Sequence, residues 1–307
     1  KAALVEFAQL ADLRSPDMAR RGRAVGHLAD SPSTRTLTQL DELRTDPTYA
    51  ADPAFRQAVE DARATVDRWL LAGRILATLY NGLSFASILF MSAVGLAIIF
   101  GLMGVINLAQ GEFIMLGAYG TFMVQQFLRA AAPGLAEYYL PLAIIPVFLG
   151  TAGIGVALEA GLVRHLYRRP LMSLLATWAV SLFLVNLVRV MFGTQNLQFE
   201  TPFYVRGGIA VLGDFIITWN RLFAIGFAGA ALGGTWLLLR RTGFGLDVRA
   251  VTQNRDMAAC LGIATRRVDM LAFGLGSGLA GLAGLALSPL YNVNPQMGTT
   301  FIIDSFM

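Results

Sequence analysis

The chain has 307 residues, of which 55% are hydrophobic and only 14% charged, and its mean hydropathy is positive. That balance excludes an ordinary soluble domain and describes an integral membrane protein. Acidic and basic residues cancel up to Arg74, so the net charge of +4 belongs to the membrane half, where it bears on orientation, and no nucleic-acid partner is expected.

Cys260, the single cysteine, rules out an internal disulfide. His27 and His165 stand far apart without ligand spacing, so neither a metal site nor a cofactor site is legible. The chain begins at Lys1 and stops at Met307 as an apolar run begins, which reads as a processed or partial chain.

Over residues 1–80, the dipeptides Ser15-Pro16, Ser31-Pro32, Asp46-Pro47 and Asp52-Pro53 each set an N-cap residue before a proline, a helix-start signal. Apolar residues between them keep helical spacing: Leu4, Phe7, Ala8 and Ala11, then Val25, Leu28 and Ala29. The starts recur at nearly even intervals, so the region reads as HEAT-like, with a generic helical bundle as the alternative. The Arg20, Arg21, Arg23 cluster reads as a solvated face offset by Asp12, Asp17 and Asp30. The helix from Asp52 is expected to run through Trp69 towards Tyr80, an aromatic pair suited to the water–lipid boundary.

From residue 81 to 307 the pattern is a polytopic transmembrane helical bundle. Spans are expected from Leu83 to about Ile106, about Glu112 to Leu128, Leu140 to Val163, Leu171 to Phe192, Leu222 to Leu239 and Met270 to Leu290. Between the first two, Asn107, Gln110, Gly111 and Glu112 interrupt the hydrophobic run. Polar side chains and loosened backbone are costly in hydrocarbon unless they face protein or a water-filled route, so this is a helix broken near the midplane for a reason.

Pro141 and Pro146 are expected to start and kink the third span. In the last one, Gly274 and Gly278, Ser277 and Gly281, and Gly276, Ala280 and Gly284 recur at four-residue spacing, which lets another helix approach closely. Arginine placement sets the orientation: Arg164, Arg168 and Arg169 in one short loop and the cluster from Arg240 to Arg267 in another mark both as cytoplasmic. The amino-terminal helical region then lies on the outer face.

The loop RRTGFGLDVRAVTQNRDMAACLGI continues from the fifth span as an amphipathic stretch, with Val248, Val251, Ala258, Ala259 and Leu261 set among Arg249, Asn254, Arg255 and Asp256, and with Gly262 as a helix C-cap. Such a helix suits docking into a cleft on a cytoplasmic partner. A solvated positive-inside loop is the plainer alternative.

In order along the chain, GLAIIFGLMGVINLAQGEFIMLGAY, EAGLVRHLYRRPL and this loop resemble three characteristic stretches of the branched-chain amino acid type ABC importer permeases, over roughly residues 81–307. Within that family, AVTQNRDMAACLGI, RVDMLAFGLGSGLAGLAGLALS, FIIDSFM and the preceding helical region look most like the urea-transporting permeases.

The resemblance implies a subunit of the bacterial inner membrane that works with ATP-binding cassette ATPase subunits, a second permease subunit and an extracytoplasmic substrate-binding protein, surrounded by lipid. It places Arg249, Ala250, Asn254, Arg255, Ala258 and Gly262 on a coupling helix contacted by the ATPase. It also places INLAQGE on the transport route, with Gln110 where the family pattern often has histidine.

Urea is neutral, and amides such as Asn107 and Gln110 would replace its water shell without a charge penalty. A zwitterionic amino acid would favour charged partners or helix ends. Thr177 and Asn186 add to such a lining or make helix-to-helix hydrogen bonds. Glu112 lies on the route or at a helix N-terminus, and Glu159 is expected to pair with Arg164 or its neighbours.

The reading is therefore a permease subunit, not an enzyme, carrying urea, or alternatively a branched-chain amino acid or short amide. No GxxxxGK(S/T) loop is present, so ATP hydrolysis would need another polypeptide. A stand-alone channel, an ion-coupled carrier and a tethered scaffold are the competitors. The first two would not need the amphipathic loop, and the scaffold would not need the break.

Overall fold

The computed structural model describes residues 18–29, 32–45, 49, 52–167, 169–197, 199, 202–212 and 215–306. The expected helix starts at Ser15-Pro16 and Asp46-Pro47, and the apolar set from Leu4 to Ala11, lie outside these. The described residues form eleven helices and one hairpin. In order they are α1 (Met18–Ala29), α2 (Thr34–Leu43), α3 (Pro53–Met103), α4 (Gln110–Ala131), α5 (Tyr139–Gly161), α6 (Pro170–Phe192), β1 (Gly208–Leu212), β2 (Phe215–Thr218), α7 (Trp219–Arg241), α8 (Gly243–Gln253), α9 (Arg255–Cys260), α10 (Thr265–Leu287) and α11 (Met297–Phe306).

Two compact units emerge, residues 1–82 with 207–218, and residues 83–206 with 219–307. The boundary between them falls inside α3, a single helix of 51 residues, and not in a linker.

In the first unit, Asp52 caps α3 as its sequence position implies: its Oδ1 accepts from the Ala54 N–H at 2.9 Å, with Pro53 first in the helix. Helix α2 starts two residues later than Ser31-Pro32 suggests, because Ser33 serves as the N-cap and accepts from the Thr36 N–H at 3.1 Å. Val25, Leu28, Leu40, Phe55, Val59 and Val66 close a small core. Arg21 departs from the expected solvated face. It is 8% exposed, and its guanidinium lies over the Phe55 ring at 5.2 Å, an arrangement that shelters the apolar stem while the charge faces the ring. The antiparallel hairpin β1–β2 was not anticipated. It joins this unit through Tyr80, whose hydroxyl donates to the Thr218 carbonyl at 2.8 Å.

The second unit is built around α10. Among the described residues, five helical stretches are long and apolar enough to cross a membrane, including α3, α6, α7 and α10. Helix α4 has the length, 22 residues, but is too polar to join that set, and its polar residues Gln110, Glu112, Thr121 and Gln125 are buried within the protein. The glycines of α10 let its backbone touch its neighbours: a Cβ at Gly276 would stand 2.5 Å from the Gly95 carbonyl oxygen of α3, and one at Gly284 would overlap that of Ile114 in α4. Gly117 of α4 meets Gly281 in the same way. The small-residue spacing thus serves packing on several sides of α10.

Candidate functional site

The helix break is a return, not a gap. Helix α3 ends at Met103, and Gly104 takes φ +65°, a left-handed conformation that glycine adopts without steric cost. Residues 104–109 then run without helix until α4 begins. Gln110 reaches two helix backbones: its Nε2 donates to the Gly276 carbonyl at 3.2 Å and the Ser92 carbonyl at 3.5 Å. Ser92 lies roughly three turns before the end of α3. The chain therefore climbs back along the bundle, and α4 begins midway through it.

Asn107 and Gln110 meet, as their spacing implies, but they satisfy one another. Asn107 Nδ2 donates to Gln110 Oε1 at 3.3 Å, Asn107 Oδ1 accepts from the Ala109 N–H at 3.1 Å, and the two side chains are 1% and 0% exposed. Thr177 Oγ1 accepts from the Leu108 N–H at 3.2 Å, pinning the non-helical segment to α6. Gly111 packs directly on Gly298 of α11, where a Cβ would overlap the Gly298 carbonyl.

Beside the start of α4 is a cavity of about 350 Å³, bordered by Leu108, Glu112, Asn186, Arg189, Gln296 and Thr299. Of the sequence candidates, only Glu112 and Asn186 line it. Glu112 is 1% exposed; its Oε1 accepts from the Ser181 hydroxyl at 2.9 Å, and its Oε2 has no partner. Asn186 turns its amide onto its own helix, donating to the Leu182 carbonyl at 2.8 Å. Arg189 is half-buried, with no ion pair or side-chain hydrogen bond among the described residues. A charge inside an apolar span is the signal that would have found it.

The amphipathic loop folds as two helices, not one. Asn254 ends α8 and caps α9, its Oδ1 accepting from the Met257 N–H at 2.9 Å. Gly262, at φ +87°, closes α9 as expected: its N–H bonds the Ala259 carbonyl at 3.0 Å, and the Ile263 N–H bonds that of Ala258 at 3.1 Å, a Schellman pair. Val251 and Ala258 point inward with Val268 and Ala272 and bury Leu102, at the end of α3. Arg249 donates to the Leu239 carbonyl at 2.6 Å, and Ala250 packs at the edge of the same cluster. The expected coupling residues therefore hold the loop together, while Leu246, Met257 and Leu261 face outward, 62%, 58% and 77% exposed.

Arg255 turns inward as well. It pairs with Asp269 of α10 and lies over the Tyr167 ring at 5.4 Å. Tyr167 donates to Glu159 Oε1 at 2.6 Å, and its oxygen stands 3.1 Å from Met103 Sδ. Burial, reinforced by the Glu159 carboxylate, pushes the Tyr167 hydroxyl far above its ordinary pKa, so it remains a donor. Glu159 binds Arg164 at 3.0 Å, as its position suggested. One polar cluster thus links the loop helix α9 to α5, α10 and the last residue of α3.

A family model described as the branched-chain amino acid transport system permease component matches residues 78–307. The chain belongs to this permease family. It is 30% identical over 232 residues to the high-affinity branched-chain amino acid transport system permease protein LivH of Salmonella typhimurium, covering 73% of the chain and 74% of the relative. It is 27% identical over 241 residues to BraD of Pseudomonas aeruginosa, a permease protein of the same description, with 75% and 76% covered. A probable branched-chain amino acid transport permease protein of Methanocaldococcus jannaschii is 24% identical over 250 residues, with 74% and 71% covered. No solved structure matches. As a member of this family the permease is a membrane transport component and not an enzyme, and none of these relatives is described as carrying urea.

Proposed function

We propose that the permease carries a branched-chain amino acid into the cytoplasm, driven by separate ATP-binding cassette subunits. The observation that carries the substrate reading is the state of the amides. Those that would solvate urea are spent on each other and on helix backbone, so the urea expectation is not retained. The relatives' descriptions point the same way.

Energy enters at α8 and α9, where the outward Leu246, Met257 and Leu261 suit insertion into an ATPase cleft. Motion there reaches Leu102 and Met103 through the shared apolar cluster. Residues 104–109 follow directly and form the floor of the cavity at Leu108. Solute crosses when that floor moves. A second permease subunit completes the route, and an external binding protein delivers solute from the outer side. The arginine-bearing loops are cytoplasmic, with the amino-terminal helical region outside, in a bacterial inner membrane.

The test is uptake by right-side-out membrane vesicles carrying the whole transporter. Radiolabelled leucine is expected to enter in an ATP-dependent manner, unaffected by excess urea, while Cys260 stays unlabelled by an impermeant maleimide. ATP-driven urea uptake without leucine uptake would refute the substrate reading, and ready labelling of Cys260 would reverse the orientation.

A further inference from the structure

We infer that the cavity beside α4 is a transit subsite for the head group of a zwitterionic amino acid, with Glu112 receiving the ammonium and Arg189 the carboxylate. This rests on the amino-acid reading above and adds where, and by which residues, the solute is held.

Two charged side chains of opposite sign border one cavity within a membrane bundle, and neither is neutralised by the other. Glu112 uses one oxygen on Ser181 and leaves the second without a partner at 1% exposure. Arg189 has neither an ion pair nor a side-chain hydrogen bond among the described residues. Ionised groups at membrane depth are costly unless paired. Glu112 lies in the first turn of α4, where the helix dipole favours a carboxylate, yet its second oxygen is left without a partner.

The spacing suits a small zwitterion. Ser181, Val185 and Arg189 recur at four-residue intervals and lie on one face of α6. The rise from Ser181 to Arg189 is about 12 Å, and a long helical side chain leans back towards the N-terminus of its helix, which brings the guanidinium towards Glu112. Val185 and Ile302 add apolar walls for a branched aliphatic side chain, and about 350 Å³ falls in the range of roughly 300–1,000 Å³ usual for small-ligand clefts. A neutral solute such as urea would leave both charges uncompensated. Gly298 provides the room: a Cβ there would overlap the free Glu112 oxygen.

The experiment measures binding to the assembled transporter in lipid nanodiscs. The probes are leucine, 4-methylpentanoate, which lacks the ammonium, and 3-methylbutylamine, which lacks the carboxylate. Glu112→Gln and Arg189→Gln are each expected to weaken leucine by about tenfold or more, the scale of one charge-assisted hydrogen bond. 4-Methylpentanoate should lose affinity only in Arg189→Gln and the amine only in Glu112→Gln, with Arg189→Lys recovering part of the carboxylate binding.

Wild-type leucine affinity in both assembled variants overturns the subsite and leaves Arg189 as a residue reaching for the outer interface; so does an equal loss of both analogues in each variant. Should Glu112→Gln not assemble, the half-exposed Arg189→Gln alone decides. Absence of leucine uptake by the unaltered transporter overturns the amino-acid reading instead, so the two failures are distinguishable.

Discussion

Gly284→Val is expected to abolish the assembled bundle. A Cβ at this position overlaps the Ile114 carbonyl oxygen and stands 2.8 Å from the Ala118 backbone nitrogen. Both belong to the α4 backbone, so no side chain can rotate to make room, and the helices must part. Separation undoes the neighbouring Gly117–Gly281 contact and exposes an interface in which Ile114, Ala118, Ala280 and Ala283 are 0% exposed. The cost therefore exceeds the roughly 1–3 kcal/mol of ordinary overpacking. Size-exclusion yield of the purified complex reads it directly. Gly233→Val is the control: no heavy atom lies within 4 Å of its added Cβ, and its yield should match that of the unaltered protein. Normal yield of Gly284→Val would mean that α10 and α4 do not pack this closely.

Arg255→Ala is expected to separate ATP hydrolysis from uptake. Asp269 is 1% exposed, with Arg255 on one oxygen and nothing on the other. Removing one partner of a buried pair costs about 3–5 kcal/mol; because the Arg255 side chain is 38% exposed, the lower end of that range, or less, applies. The same change empties the face of Tyr167 and frees α9 from the cluster that reaches Met103. The Asn254 cap and the Gly262 closure remain, and so does the outward face of Met257 and Leu261. ATPase subunits should still bind and hydrolyse ATP while uptake per ATP falls by about tenfold or more, the scale of the lost charge-assisted contact. Arg255→Lys keeps the charge but loses the planar stacking and should recover part of it. Unchanged uptake per ATP in an assembled Arg255→Ala complex would make the cluster a static brace.

Much of this arrangement was legible in the residues. Most of the apolar runs marked helices to within a few residues, and Gly262 and Asp52 marked helix ends that the backbone realises; the break, expected at Asn107 to Glu112, falls at residues 104–109, with Gln110, Gly111 and Glu112 already in the first turn of α4. Local grammar of this kind depends on neighbours a few positions apart. The misses involve partners remote in the chain. Asn107 and Gln110 were noticed as amides in a hydrophobic run, but nothing nearby showed that Gly276 would accept from Gln110. Arg255 was expected to meet the ATPase on the coupling helix, and its inward turn was missed for the same reason, since Asp269 and Tyr167 reach it only through the packing of α9 against α10. Arg21 was grouped with two exposed arginines because Phe55, on another helix, was not visible as its neighbour. The strands β1 and β2 are short, and alternating Ile209, Val211 and Ile216 within an arginine-poor connection carry a weak strand signal against the span pattern around them.

Whether solute passes by displacement of residues 104–109 is tested most directly by locking that segment. The Leu108 N–H donates to Thr177 Oγ1 at 3.2 Å, so the two residues are neighbours, and cysteines placed at both positions can be bridged by a short, reducible bifunctional thiol reagent; replacing the exposed Cys260 with serine removes the chain's own competing thiol. With the bridge formed, ATP-driven leucine uptake is predicted to stop while the ATPase subunits stay bound, and reduction is predicted to restore it. Full uptake with the bridge complete would show that the floor of the cavity does not move during transport.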